Sequence, residues 1–109
     1  MATAARAVIT LPASARRGDV VDVRTLVSHA METGYRTGSD GQPLARDILR
    51  RFECRFDGEL VFGADLALAI AANPYLAFSL RATASGTLSF RWDGDNGFSH
   101  TETRTLTVT

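Results

Sequence analysis

The chain has 109 residues, 45% hydrophobic and 22% charged, and its twelve arginines balance its twelve acidic residues. This composition predicts one folded domain and excludes a disordered chain, and no apolar run reaches the ~20 residues of a membrane-spanning helix. A net charge of zero argues against a nucleic-acid-binding protein that works by neutralising phosphates. Residues 1–55 carry nine Arg and six acids, and residues 56–109 three Arg and six acids, an asymmetry that suits a protein partner.

Alternation of apolar and polar residues predicts about seven short strands. Their expected bounds are 6–11, 20–27, 49–56, 59–62, 76–83, 87–92 and 99–108. Between them, residues 34–47 form a polar stretch with three glycines and a proline, which predicts a long loop. Asp57-Gly58 predicts a two-residue hairpin turn, and residues 93–97 predict another turn.

Residues 65–72 (DLALAIAA) are the one ambiguous stretch. Alanine and leucine favour helix, although the following Asn-Pro allows only a turn or two. We therefore expect a connection with helical character between the two sheets.

Short strands separated by regular turns predict an all-β fold, an immunoglobulin-like antiparallel β-sandwich of about seven strands, with residues 1–109 as a single domain. Cys54 is the only cysteine, so an internal disulfide is impossible. Apolar packing must therefore hold the core, for which the expected aromatic residues are Phe52, Phe56, Phe62, Phe90 and Trp92.

Sequence motifs for catalysis are missing: the chain has no GxSxG, HExxH, P-loop or dinucleotide fingerprint. The adjacent Ser28 and His29 are no catalytic pair on a strand, because neighbouring side chains point to opposite faces. We expect a protein that is not an enzyme.

Three residues allow an alternative hypothesis, a periplasmic copper or redox carrier module. His29 and Met31 lie two residues apart, and imidazole with thioether can hold Cu(I); Cys54 would complete the set. Packing is the commoner role for such residues. Cys54 also lies on the apolar side of its strand, which predicts a buried, unreactive thiol with a raised pKa; the other interpretation is a thiol that faces a partner.

The segment 29–41 combines methionine, tyrosine and arginine with glycines. These side chains are enriched at protein interfaces, so the segment is a candidate partner surface; a solvated loop is the alternative. Residues 1–7 lack the pattern of a secretory signal, which by itself predicts a cytoplasmic protein.

Several stretches in order along nearly the whole chain resemble the SoxZ family, a subunit of the SoxYZ sulfur-carrier complex of bacterial thiosulfate oxidation. They are TLVSHAMETGYR (25–36), RFECRFDGELVF (51–62), AIAANPYLAF (69–78), SGTLSFRW (85–92) and DNGFS (95–99). The chain departs from the family at Ala30, where proline is usual, at Ala67-Leu68, typically His-Pro, and at Gly94, where an acidic residue is common.

The resemblance implies a non-catalytic, immunoglobulin-like subunit that pairs tightly with SoxY and stabilises it. In that family SoxY holds the sulfur intermediate on a cysteine of its mobile C-terminal arm. The heterodimer would dock transiently with SoxXA, SoxB and SoxCD, and no cofactor, nucleic acid or membrane partner is implied. The family works in the periplasm without a signal peptide of its own, exported with SoxY, and this expectation replaces the cytoplasmic one.

A stable heterodimer needs aromatic and methionine anchors inside an interface of about 1,200–2,000 Å2. The candidates for such anchors are His29, Met31, Tyr35, Phe52, Cys54 and Tyr75.

Overall fold

The computed structural model describes residues 6–67 and 70–109. In these ranges the chain forms eight strands and one 3-10 turn. The strands are β1 (Ala7–Thr10), β2 (Ser14–Ala15), β3 (Val20–Val27), β4 (Leu49–Phe56), β5 (Glu59–Asp65), β6 (Tyr75–Arg81), β7 (Gly86–Gly94) and β8 (Ser99–Val108), and the 3-10 turn is Asp95–Gly97.

The strands form two sheets that pack face to face. One has three strands in the order β1-β3-β6, and the other has five in the order β2-β8-β7-β4-β5. The predicted immunoglobulin-like sandwich is confirmed. The count of about seven is corrected to eight by β2, which has two residues and pairs parallel to the end of β8. Two residues are too few to show an alternation, so the pattern could not reveal it.

β3 shows why alternation predicted the strands well. Its side chains alternate strictly between exposed and buried, with Val21, Val23, Thr25 and Val27 facing the other sheet. A single buried face fixes the register of such a strand, because a slip of one residue would move every apolar side chain from the core to the solvent-exposed face. The predicted bounds of β3, β4 and β8 are the observed ones.

The turns between strands follow from residues that tolerate positive φ. Asp57 has φ 47° and Gly58 has φ 87°, as the predicted two-residue hairpin between β4 and β5 requires. The Asp57 carboxylate also accepts a hydrogen bond from the Thr87 amide at 2.9 Å, which ties the hairpin to β7.

The helical character expected at 65–72 is wrong for the residues described. Asp65 ends β5, where it pairs with Arg51, and residues 66, 67 and 70–72 contain no helix; positions 68 and 69 lie outside the described residues. At Asp65 and Leu66, hydrogen bonding to β4 overrides the local preference for helix.

The core lies between the two sheets. Phe52, Phe90 and Trp92 are fully buried there, as expected, whereas Phe56 and Phe62 are half-buried at its margin. Burying a large side chain contributes about 2–3 kcal/mol before entropy is counted. Nowhere in residues 6–67 and 70–109 is there a helix with the length and apolarity needed to cross a bilayer.

Candidate partner interface

The six predicted anchors divide by burial. His29, Met31, Phe52 and Cys54 are buried, whereas Tyr35 is 82% and Tyr75 58% exposed. Only the two tyrosines therefore offer large surfaces to a partner in this conformation.

His29 and Met31 hold the start of the long loop in place. The Met31 amide donates to His29 Nδ1 at 3.0 Å, and the Leu49 amide donates to Met31 Sδ at 3.2 Å. The His29 amide donates to the Asn73 side chain at 2.9 Å, and the imidazole packs edge-on against Phe98. Both side chains thus accept hydrogen bonds from backbone amides of their own chain. Met31 has a positive φ of 51° in this arrangement.

Phe52 and Cys54, both predicted as interface anchors, are core residues in this conformation of the chain. Both lie on the inner face of β4 with no exposed surface, because that face packs against the three-stranded sheet. Burial raises the pKa of the Cys54 thiol to about 12, so the thiolate is scarcely populated at neutral pH. This agrees with the predicted unreactive thiol.

The structure does not bring the three copper-ligand candidates together. Met31 Sδ contacts Leu49 at the start of β4. Cys54 lies five residues further along that strand, about 16 Å away at the rise of a β-strand. His29 Nδ1 and Met31 Sδ already accept backbone hydrogen bonds. The described residues also contain no cluster of three His, Cys, Asp or Glu side chains able to hold a metal ion.

Tyr35 lies in the predicted long loop. Two isolated β-bridges, Glu32 to Asp47 and Thr37 to Pro43, draw the two limbs of this loop together. An ion pair of 2.7 Å between Arg36 and Glu32 braces it further and lowers the pKa of Glu32. The loop is therefore a folded projection with Tyr35 on its surface.

One side of the sandwich ends in two edge strands, β5 and β6, each of which pairs with a neighbouring strand on one side only within the described residues. We call this side the open edge and define it by Leu60, Val61, Phe62 and Phe78. Phe62 and Phe78 stack with ring centroids 4.3 Å apart and an interplanar angle of 2°, so they bridge the two sheets. Leu60 and Val61 are 43% and 44% exposed.

A β-bulge explains the exposure of Leu60 and Val61. Cys54 pairs with Phe62 and Arg55 pairs with Leu60, so Val61 is the extra residue on β5. A bulge locally twists a strand and disrupts the strict alternation of its faces. Beside it lies a cavity of about 330 Å3, lined by β5, β6, the chain just after β6, and the side chains of Phe56 and Leu106.

A second apolar surface lies on the outer face of the three-stranded sheet. Val8 pairs with Leu26, and Leu26 pairs with Tyr75, so the three side chains form one row across β1, β3 and β6. They are 61%, 40% and 58% exposed. We call them the apolar row.

The outer face of the five-stranded sheet is polar and self-paired. On β4, Glu53 forms ion pairs with Arg55 at 3.1 Å and with Arg51 at 3.2 Å. Hydrogen bonds from these two arginines hold the pKa of Glu53 below its usual value. Arg91 pairs in the same way with Asp93 at 2.9 Å. Charges neutralised in this way leave little for a partner to recognise.

Sequence reasoning found Tyr75 but missed most of both apolar surfaces. The register of β1, β3 and β6 creates the row, and no local pattern reports a register between distant strands. For the open edge, the adjacent apolar residues Leu60 and Val61 were a readable signal, because they break the alternation of β5.

Solved structures of other proteins share this fold. A superoxide reductase (neelaredoxin) from Ignicoccus hospitalis superposes with a TM-score of 0.73 at 17% identity, covering 94% of this chain and 80% of that one. The sulfur carrier protein SoxY from Chlorobium limicola f thiosulfatophilum gives 0.66 at 15% identity, covering 94% and 78%. At such identities the likeness shows the fold alone.

A third similar structure is a putative superoxide reductase from Thermotoga maritima, with a TM-score of 0.65 at 15% identity, covering 94% of this chain and 85% of that one. No curated protein sequence matches the chain. The family model of the sulphur oxidation protein SoxZ, by contrast, matches residues 9–105, nearly the whole chain. The chain therefore belongs to the SoxZ family and is a component of the Sox sulfur-oxidation system.

Proposed function

We propose that this protein is the non-catalytic subunit of a SoxYZ sulfur carrier in thiosulfate oxidation. It binds SoxY, stabilises it, and contributes to the surface on which SoxXA, SoxB and SoxCD dock. Membership of the SoxZ family supports the assignment.

The observation that carries the heterodimer is the open edge. β5 presents unpaired backbone groups and two neighbouring exposed apolar residues, Leu60 and Val61. Natural proteins protect such edges with charges, proline or a covering element, because otherwise they pair with other chains. β5 carries charges only at its two ends, Glu59 and Asp65, and the five residues between them include no charge or proline, although the bulge at Val61 twists this edge. A second subunit that covers this edge would complete the sandwich.

The fold that this chain shares with a SoxY structure fits the same arrangement. Two sandwiches can join edge to edge by strand addition, in which main-chain hydrogen bonds give affinity and side-chain pockets give specificity. The cavity of about 330 Å3 next to β5 would accept an apolar side chain from SoxY.

The properties of Cys54 support a carrier in which SoxY, and not this chain, binds the sulfur intermediate covalently. A thiol with a pKa of about 12 and no accessible surface is a poor nucleophile, so the covalent sulfur intermediate belongs on SoxY. Replacing Cys54 with serine should leave loading of the complex with sulfur unchanged. A sulfur adduct on Cys54, detected by mass spectrometry, would contradict this assignment.

Co-expression with SoxY tests the heterodimer. We expect a 1:1 complex by size exclusion with light scattering, and self-association of the chain when it is expressed alone. Val61→Lys should weaken the complex about a hundredfold, since a buried unpaired charge costs several kcal/mol. The matched control is Thr103→Lys, which adds the same charge to the exposed face of β8. A monomeric chain without affinity for SoxY would overturn the proposal.

We propose a periplasmic location, reached by export with SoxY. Fractionation of cells that express the pair should place both subunits in the periplasm, and deletion of SoxY should leave this chain in the cytoplasm. Export of the chain alone would contradict this route.

A further inference from the structure

The arginines of this protein divide sharply between its two sheets. Of twelve arginines, seven form ion pairs with carboxylates. All seven lie on the five-stranded sheet or in the loop before it. Within the described residues, five have no carboxylate partner: Arg6, Arg16, Arg17, Arg24 and Arg81. These five lie on the three-stranded sheet, at its start, or in the turn that leads into it.

Two of these arginines flank the apolar row. Arg24 lies two residues before Leu26 on β3, and therefore on the same face, about 7 Å away along the strand. Arg6 lies two residues before Val8, beside Ser28, whose amide donates to the Arg6 carbonyl at 2.8 Å. The outer face of the three-stranded sheet therefore has an apolar centre with one arginine on each side, neither of them in an ion pair among the described residues. Asp22, the acidic residue on this face of β3, accepts a hydrogen bond from the Ser79 hydroxyl at 3.2 Å.

We infer that the apolar row with Arg6 and Arg24 is a docking surface for a protein that presents carboxylates around an apolar centre. The inference rests on the proposed function and adds to it: SoxY covers the open edge, and the transient partners of the carrier bind this second surface through their acidic side chains.

Charge complementarity is the argument for this occupant. Arginines that already have carboxylate partners gain little from a new one. Arg6 and Arg24 have no such partner in the part of the chain that the structure describes. A nucleic acid would use the arginines but leave the three apolar side chains without contacts.

The small size of the surface indicates transient rather than permanent binding. Three apolar side chains in one row bury less area than an obligate heterodimer needs, and charged rims chiefly increase association rates. A carrier that visits several enzymes in turn requires fast association and fast release.

The test uses the purified complex with SoxY, immobilised, and SoxXA, SoxB and SoxCD as separate probes. We expect Arg24→Gln to slow association about five-fold and to flatten its dependence on salt. The matched control, Arg91→Gln, removes the same charge from the outer face of the other sheet and should leave docking unchanged.

A second pair of variants tests the apolar row. Leu26→Thr should speed dissociation about tenfold, because the row loses its central side chain. Val20→Thr is the control: Val20 is 60% exposed on the same strand and face, but outside the row.

The outcomes separate the inference from the proposed function. Failure of the wild-type chain to form a complex with SoxY would overturn both. An intact complex whose docking is unaffected by Arg24→Gln and Leu26→Thr would overturn the inference alone. Loss of SoxY from the Leu26→Thr variant would also overturn it, because the row would then belong to the subunit interface. Equally tight binding of a duplex oligonucleotide would overturn the choice of an acidic protein.

Discussion

Cys54 illustrates how its surroundings limit the chemistry of one side chain. The thiol lies between Phe62 and Phe90 in the strand pairing of β4, with no exposed surface. Burial disfavours the charged thiolate and raises the pKa from 9.0 to about 12. A cysteine in this position packs as a small apolar residue.

This shift predicts a dependence of stability on pH. Below pH 9 the thiol is protonated in both states and its contribution is fully present. Above pH 9 the unfolded chain loses the proton first, so stability falls by about 1.4 kcal/mol per pH unit until the folded pKa near 12 is reached. Urea unfolding of the wild type and of Cys54→Ala between pH 8 and 10 isolates this slope. Parallel pH profiles of the two proteins would contradict the raised pKa.

At the scale of single elements, the turn between β4 and β5 decides which residues become the open edge. Asp57 and Gly58 close the hairpin in two residues, and the bulge at Val61 then shifts the register. The sequence predicted the turn, because this dipeptide favours positive φ. It placed the end of β5 at residue 62, since Gly63 and Ala64 look unlike a strand until they pair with β4.

Substitution of the turn glycine tests the hairpin. Gly58 has φ 87° with no atom within 4 Å of an added Cβ, so conformational strain is the only cost of Gly58→Ala. We expect a loss of about 1–2 kcal/mol in the free energy of unfolding. Gly58→Asn is the control, because asparagine tolerates positive φ and should lose less. Equal losses from both variants would show that strain at this position is not the cause.

For the whole molecule, the relation between the two sheets creates the open edge. The stacked rings of Phe62 and Phe78 join β5 of one sheet to β6 of the other. The two residues are far apart in sequence, and β5 and β6 are each an edge strand of their sheet. The same contact therefore holds the sandwich together and forms the floor of the open edge.

A double-mutant cycle measures this coupling. We expect Phe78→Ala to lower the free energy of unfolding by about 3 kcal/mol. This is at the low end for loss of an aromatic ring, because the residues at the edge can relax into the space that the ring leaves. The combination with Phe62→Ala should give a coupling energy of about 0.5–1.5 kcal/mol. Strict additivity in denaturant unfolding would mean that the stacked rings do not bridge the sheets energetically.

The sequence by itself determined the class of fold, the bounds of β3, β4 and β8, the hairpin at Asp57-Gly58 and the burial of Cys54. These follow from local rules: side chains alternate along a strand, and particular residues accept particular backbone angles. Motif order along the chain also identified the SoxZ family.

Only the tertiary structure decided which residues can meet a partner. Of the six predicted anchors, only Tyr35 and Tyr75 are exposed. His29 and Met31 are buried and accept hydrogen bonds from backbone amides of their own chain. Val8, Leu26 and Tyr75, which are distant in sequence, became one row because antiparallel pairing brought them side by side. Exposure and adjacency depend on how strands are registered and how sheets are stacked, and these are properties of contacts between residues far apart in the chain.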